Sequence, residues 1–288
     1  MAELSSPVRN ISDTALWAAY FRANESKRPD ALYRDPYAEK LAGARGTQIA
    51  NTLPDGNKHS WAWVTRTFLF DQFISKEIEN GTELVVNLAA GLDARPYRMP
   101  LNPSLQWVEV DLPDILAYKQ DILAKDTPKC RLERIALDLS NIDRRKDLFV
   151  DLNQRASKIT VITEGLLIYL AADDVSLLAK DLAANQHFQT WILDVVSPGL
   201  LKMMQKSAGK ALTEVGAPFR FAPPEGPEFF APRGWFPETV EGLLKVASRF
   251  KRPPLFLRLL SKLPENKGPQ SDRPWSGVCV LRSRHSSK

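Results

Sequence analysis

Leu84-Val85-Val86-Asn87-Leu88-Ala89-Ala90-Gly91-Leu92-Asp93 is the stretch on which the fold turns. Its first five residues make a short, nearly continuous apolar run, the pattern of a strand buried on both faces of a parallel sheet. Gly91 follows at the carboxyl end, where backbone without a Cβ can approach a ligand closely, although a plain turn explains a lone glycine more simply. Downstream, comparable runs lie at 105–110, 132–137, 159–163 and 190–196, with helical patterns between them at 113–125 and 172–185. Five strands separated by helices predict an α/β fold with a doubly wound, parallel sheet.

Upstream, the first 80 residues read as helical. Ser12-Asp13-Thr14 is a plausible N-cap before the apolar run 15–21, Arg34-Asp35-Pro36-Tyr37 a turn, and 61–78 an amphipathic helix. Beyond residue 200, eleven of the 21 prolines fall between Pro218 and Pro274, which excludes a long helix or central strand there. The segment 219–235 mixes prolines with Phe219, Phe221, Phe229 and Phe230; it reads as an ordered loop that either covers a site or packs under a helix. A last strand is predicted at 275–282, followed by a polar tail.

Of the 288 residues, 44% are hydrophobic and 25% charged, which excludes disorder and collagen-like order. No apolar run approaches the ~18 residues that cross a bilayer, so no membrane partner is expected. The first residues lack the basic and apolar regions of a secretory signal. Cys130 and Cys279 have no Cys or His at metal-ligand spacing, which argues against a disulfide framework or a metal site and points to a reducing, cytoplasmic setting. The net charge of +5 is scattered, with no basic run longer than Arg144-Arg145-Lys146, so a nucleic-acid partner is not expected. A small anionic substrate, or solubility, accounts for the excess.

In a doubly wound sheet, ligands sit outside the carboxyl ends of the strands. Ala89 occupies the place of the first glycine of a Gly-x-Gly-x-x-Gly fingerprint, which argues against a pyrophosphate-cradling dinucleotide site. Asp111, 20 residues after Gly91 and at the end of the second strand, is placed to accept hydrogen bonds from both hydroxyls of a ribose. Asp111-Leu112-Pro113 alone would also suit a helix start, but with Gly91 the ribose reading is favoured. Asp138 and Leu139, at the third strand end, suit an exocyclic amine and a base, or a helix cap. Glu164, at the fourth, is costly to bury unless it meets donors or a cation such as an ammonium or sulfonium.

Thr14-Ala15-Leu16-Trp17, Arg34-Asp35-Pro36-Tyr37-Ala38, Arg66-Thr67, Ala89-Ala90-Gly91-Leu92-Asp93-Ala94-Arg95-Pro96-Tyr97-Arg98, Glu109-Val110-Asp111-Leu112-Pro113 and Glu164-Gly165-Leu166-Leu167-Ile168-Tyr169-Leu170 follow one another in the order of one family. Over about residues 12–285 the chain resembles the leucine carboxyl methyltransferase family, in its bacterial-type branch of S-adenosylmethionine-dependent O-methyltransferases, which includes polyketide O-methyltransferases. The resemblance implies a class I methyltransferase fold, Rossmann-like, with a seven-stranded, mostly parallel sheet. A helical cap would span 1–80, the cofactor-binding core 81–200, an inserted lid 201–240 and the completion of the sheet 241–288.

It further implies that Asp111 holds the ribose of S-adenosylmethionine, Asp138 and Leu139 the adenine, and Arg66 the methionine carboxylate. Gly91 would pass beside the methionine and Glu164 would sit near its amino group or sulfonium. Where the phosphatase-modifying branch carries a lysine after the first cap turn, this chain has Trp17-Ala18-Ala19, leaving Arg66 to act alone. The expected reaction is methylation of a carboxylate or phenolic oxygen on a small molecule. A carboxylate is ionised at neutral pH and needs no base, and none of His59, His187 and His285 falls at a predicted strand end. Arg95, Arg98, Arg220 and Tyr169 are candidates to hold an anionic acceptor, with surface or core-edge roles equally open, and no residue is assigned a catalytic role. The alternatives are a nicotinamide-dependent reductase, which the absence of a Tyr-x-x-x-Lys pair disfavours, and a non-catalytic cofactor-binding member of the family.

Overall fold

A computed structural model describes residues 13–52, 59–207, 213, 217–263 and 272–286. Seven strands form one sheet: β1 (Leu84–Leu88), β2 (Gln106–Asp111), β3 (Arg131–Ala136), β4 (Ile159–Thr163), β5 (Phe188–Val196), β6 (Trp235–Gly242) and β7 (Ser276–Ser283). Their order is β3-β2-β1-β4-β5-β7-β6. The first five run parallel, with β1 between β2 and β4, while β7 is antiparallel to both β5 and β6. The five strands predicted from apolar runs are all present, shifted by at most two residues.

The alternation along β1 shows why it lies at the centre. Leu84, Val86 and Leu88 enter one core with Phe149, Leu178 and Trp191, beneath α6 (Ile142–Arg155) and α7 (Ala172–Ala183). Val85 enters the other, with Phe70, Ile74, Ile162 and Ile192, beneath α3 (Ser60–Glu79). Every residue of β1 and β4 is buried, as a strand covered on both faces requires.

The N-terminal helices α1 (Asp13–Ser26) and α2 (Ala38–Thr52) pack on each other and, through Trp17, Phe21 and Ile49, meet Phe219. Ser12 lies outside the described residues. Arg22 anchors this cap by donating to Asp35 (2.9 Å) in the turn before α2 and to the Leu92 carbonyl (2.6 Å) in the loop after β1. The fully buried Glu109 of β2 pairs with Lys119 (2.7 Å) of α5 (Pro113–Ile122) and Arg134 (3.0 Å) of β3, so it ties helix to sheet.

Two expectations need correction. The interval 201–240 is not one lid. Phe221, Phe229 and Phe230 are buried against Trp191 and Trp235, and the Trp235 indole donates to the Ala179 carbonyl (2.9 Å), so this part packs under α7 as core. β6 then begins at Trp235, inside the interval. Pro237 is tolerated because β6 is the sheet edge and its pairing with β7 slips between Pro237 and Thr239. No helix of the described residues is long and apolar enough to cross a membrane.

Candidate active site

A cavity of about 740 Å³ opens at the carboxyl ends of β1, β2, β4 and β5, within the range of small-molecule sites. Arg66, Gly91, Asp111, Asp138, Leu139 and Glu164 all border it, so the structure brings the six sequence-derived residues together.

On one wall the loop after β1 curls tightly. Ala89 (φ 54°) and Gly91 (φ 48°) are both left-handed, so the position where a fingerprint glycine was missing does adopt a glycine-like conformation, held by an alanine. A Cβ on Gly91 would lie 3.2 Å from the Ala15 Cβ of α1, which presses the cap against this loop. Asp111 accepts from the Gly91 N–H (2.6 Å) and the Leu112 N–H (2.7 Å), one on each carboxylate oxygen. Burial raises its carboxyl pKa more than those two donors lower it. Asp138 is exposed at the rim and accepts from the Ser140 N–H (2.9 Å), and the Leu139 carbonyl accepts from Arg145 (2.9 Å).

The second wall is an ionic cluster. Arg66 projects from α3 and donates through Nε to Glu164 (3.2 Å) and through Nη1 to Asp194 (3.4 Å); its Nη2 has no partner among the described residues. Its guanidinium lies over the Trp63 ring, 4.8 Å from the centroid. Gly165 (φ 69°) makes room for it, since a Cβ there would come within 3.1 Å of Nη1, and the Gly165 N–H donates to Asp194 (2.7 Å). Behind Glu164, Arg95 bridges three carboxylates: Glu164 (2.8 Å), Asp93 (2.8 Å) and Asp71 (2.7 Å). Arg98 adds two bonds to Asp71 (2.7 and 2.6 Å). Four carboxylates thus face three guanidiniums, and the cluster as a whole favours a cation beside it.

Burial opposes ionisation of Glu164, but Arg95 and then Arg66 outweigh it and hold the carboxyl below its ordinary value. Asp93 is likewise buried and kept well below the carboxylate range by Arg95, Lys119 and Arg98. For Asp194 burial prevails over Arg66 and the Gly165 N–H, and its pKa is raised.

The third wall carries no ions. Trp17, Trp63, Tyr169, Met203, Met204 and Phe219 line it, with ring pairs Trp17–Trp63 (5.0 Å) and Tyr169–Phe219 (5.5 Å). Burial raises the Tyr169 pKa, so its hydroxyl stays protonated; the Thr14 hydroxyl hydrogen-bonds to it.

Of the side chains considered for an anionic acceptor, only Tyr169 faces this wall. Arg95 is buried with its donors committed to Asp71, Asp93, Glu164 and the Thr67 carbonyl. Arg98 is held by Asp71 outside the cavity lining, and Arg220 is exposed away from it. Asp194 and Asp93 were not singled out from the sequence. Asp194 is the only acid in the apolar run of β5, so the reasoning that singles out Glu164 applies to it equally. His59, just before α3, also borders the cavity. No group of three or more His, Cys, Asp or Glu among the described residues could hold a metal ion.

A family described as leucine carboxyl methyltransferase matches residues 15–183. The chain belongs to this family. Proteins provisionally named S-adenosyl-L-methionine-dependent methyltransferases are similar along most of its length. One from Parafrankia is 29% identical over 266 residues, covering 84% of this chain and 82% of that protein. One from Mycobacterium sp. (strain KMS) is 30% identical over 269 residues, covering 85% and 88%. A solved structure of a provisionally named methyltransferase from Thermobifida fusca superimposes with a TM-score of 0.59 at 16% identity, covering 98% of this chain and 97% of that one. This leucine carboxyl methyltransferase family member has the class I fold and is an S-adenosylmethionine-dependent methyltransferase. The cavity fits that cofactor: Asp111 borders it with an acceptor carboxylate steadied by two backbone donors, Arg66 has a spare donor for a carboxylate, and the surplus negative charge suits a sulfonium and an ammonium.

Proposed function

We propose that this enzyme methylates an oxygen of a small molecule with an apolar, aromatic body, at a carboxylate or a phenol; polyketides and other secondary metabolites meet that description. The observation that carries the reading is the placing of Trp17, Trp63, Tyr169, Phe219 and the methionines Met203 and Met204 beside the Arg66–Glu164–Asp194 cluster in one cavity. Aromatic and thioether side chains hold flat apolar bodies by area and edge contacts.

When bound, S-adenosylmethionine supplies a methyl group made electrophilic by its sulfonium. In this reading Asp111 accepts from the ribose hydroxyls, Asp138 and Leu139 hold the adenine at the rim, and the spare Nη2 of Arg66 pairs with the methionine carboxylate. Gly91 keeps the loop after β1 close to the methionine, and Glu164 and Asp194 balance its ammonium and sulfonium. The apolar wall excludes water and orients the acceptor, which supplies much of what an in-line displacement needs. Tyr169, kept protonated, donates to the acceptor oxygen; it is not a base.

A carboxylate acceptor arrives ionised and needs no base, which suits a wall without one. The phenolic reading rests on His59 at the cavity border. Calorimetric titration with S-adenosylmethionine, followed by a methyl-transfer screen of aromatic acids and phenols, tests the proposal. Turnover of flat, apolar acids at a rate flat above about pH 5 supports the carboxylate; a rate that rises toward alkaline pH and falls in His59→Ala indicates the phenol. Donor binding with transfer only to nitrogen, or only to polar aliphatic acceptors, sinks the reading.

A further inference from the structure

Far along the chain from the strand-end site, α9 (Leu243–Arg249) is followed by a proline pair and the short helix α10 (Leu255–Leu260). None of the six residues of α10 is buried. Its amphipathicity is inverted: Leu255 (66% exposed), Phe256 (63%), Leu259 and Leu260 form an outward arc, while Leu257 and Arg258 are half-buried. Leu263, in the next turn of the chain, is 59% exposed. A helix in a globular fold ordinarily turns such an arc inward, and isolated apolar residues on a surface need no explanation, but a cluster of five does.

The charge that this segment itself carries has one sign. Between Phe250 and Leu263 there are four basic residues and no acidic one. Arg252 is consumed by Glu25 (2.7 Å) and Asp30 (2.8 Å), which fasten the segment to the N-terminal cap. Lys251, Arg258 and Lys262 have no ion pair among the described residues and so are available to an outside partner.

We propose that this segment is a membrane-surface anchor, which seats the enzyme on a bilayer containing anionic phospholipid. Leucine and phenylalanine enter the boundary between headgroups and acyl chains, while the long cationic side chains reach the phosphates. Two other occupants fit less well. A second copy docked by two-fold symmetry would set Lys251, Arg258 and Lys262 against their own counterparts. The anchors of a protein contact are mostly Trp, Tyr and Arg, with leucine under-represented, and four of the five residues of this arc are leucine. The expectation of no membrane partner came from spanning length, which does not bear on attachment at a surface.

Flotation of the full chain with phosphatidylcholine vesicles, with and without phosphatidylglycerol, tests the anchor. The protein should float with the anionic vesicles only, and added salt should weaken the association. Phe256→Ser with Leu259→Ser should abolish flotation, and Lys262→Glu should weaken it about fivefold or more, since each basic residue near such a surface is worth about that factor. Both variants should bind S-adenosylmethionine as the native chain does, which shows that they fold. Equal flotation of the native chain and the double serine variant overturns the proposal. So does a failure of the native chain to float, or a concentration-dependent dimer that the double variant dissolves.

Discussion

Two walls of the same cavity are built on opposite principles. The strand-end side is ionic, and most of its charged groups hold several partners: Arg95 serves three carboxylates and Asp111 two backbone donors. The acceptor wall is aromatic and sulfur-bearing, drawn from α1, α3, the turn after β4, Phe219 and the helix α8 (Pro198–Ser207), which carries Met203 and Met204. A network of mutually dependent charges resists piecemeal change, because removing one member strands the others in a medium that solvates them poorly. An apolar surface tolerates exchange of one side chain for another of similar volume. The first side therefore suits a constant cofactor, and the second a pocket whose shape can change by single side-chain exchanges.

The sharpest way to break this contrast is Arg95→Met. Loss of the shared guanidinium leaves Asp71, Asp93 and Glu164 short of a partner and should cost about 3–5 kcal/mol in urea unfolding; a variant as stable as the native protein would refute the account of the ionic wall. Asp111→Ala should weaken calorimetric S-adenosylmethionine binding by about a hundredfold or more, as two hydrogen bonds to a charged acceptor are lost. Phe219→Ala should do the converse, leaving donor affinity unchanged while the KM of the acceptor rises about tenfold. An effect on both ligands would mean that the walls are not separable.

The ionic wall also sets an acid limit. Glu164 has a folded-state pKa below its ordinary 4.5, so its contribution is complete above that value and is lost as pH falls through the lower, folded one. Thermal midpoints of Glu164→Gln should consequently fall less steeply than those of the native chain in acid. Smallest of all, Ala89→Gly should raise stability by about 0.5 kcal/mol, because relief of a left-handed alanine slightly exceeds the entropy a glycine adds to the unfolded chain.

The contrast also explains what could be read from the residues alone. Strand ends were legible because an Asp or Glu closing an apolar run is conspicuous, as at Asp111 and Glu164. Asp194 has the same signature, but it lies inside its run rather than after it, and there it passes for an interruption. Arg95 and Arg98 read as candidates to hold an anionic acceptor, with surface or core-edge roles open, because Asp71, the partner they share, is on another helix, and an ion pair across 24 or 27 residues leaves no local pattern. Nothing in the sequence separates Phe219, at the cavity, from Phe229 and Phe230, in the core; the difference is Trp191, on which Phe230 packs and which is remote in the chain. β6 was hidden by Pro237, which only an edge position excuses.

The place of β7 has a consequence for the order of events during synthesis. It lies between β5 and β6, so both of those strands keep an open edge until residues 276–283 have left the ribosome. At ~5–20 residues per second, the stretch from Val196 to Ser276 takes about 4–16 s to make. Throughout that interval β5, with Asp194 near its carboxyl end, borders an unfilled slot in the sheet. The nascent chain therefore carries two unsatisfied strand edges, a natural point for a chaperone to intervene.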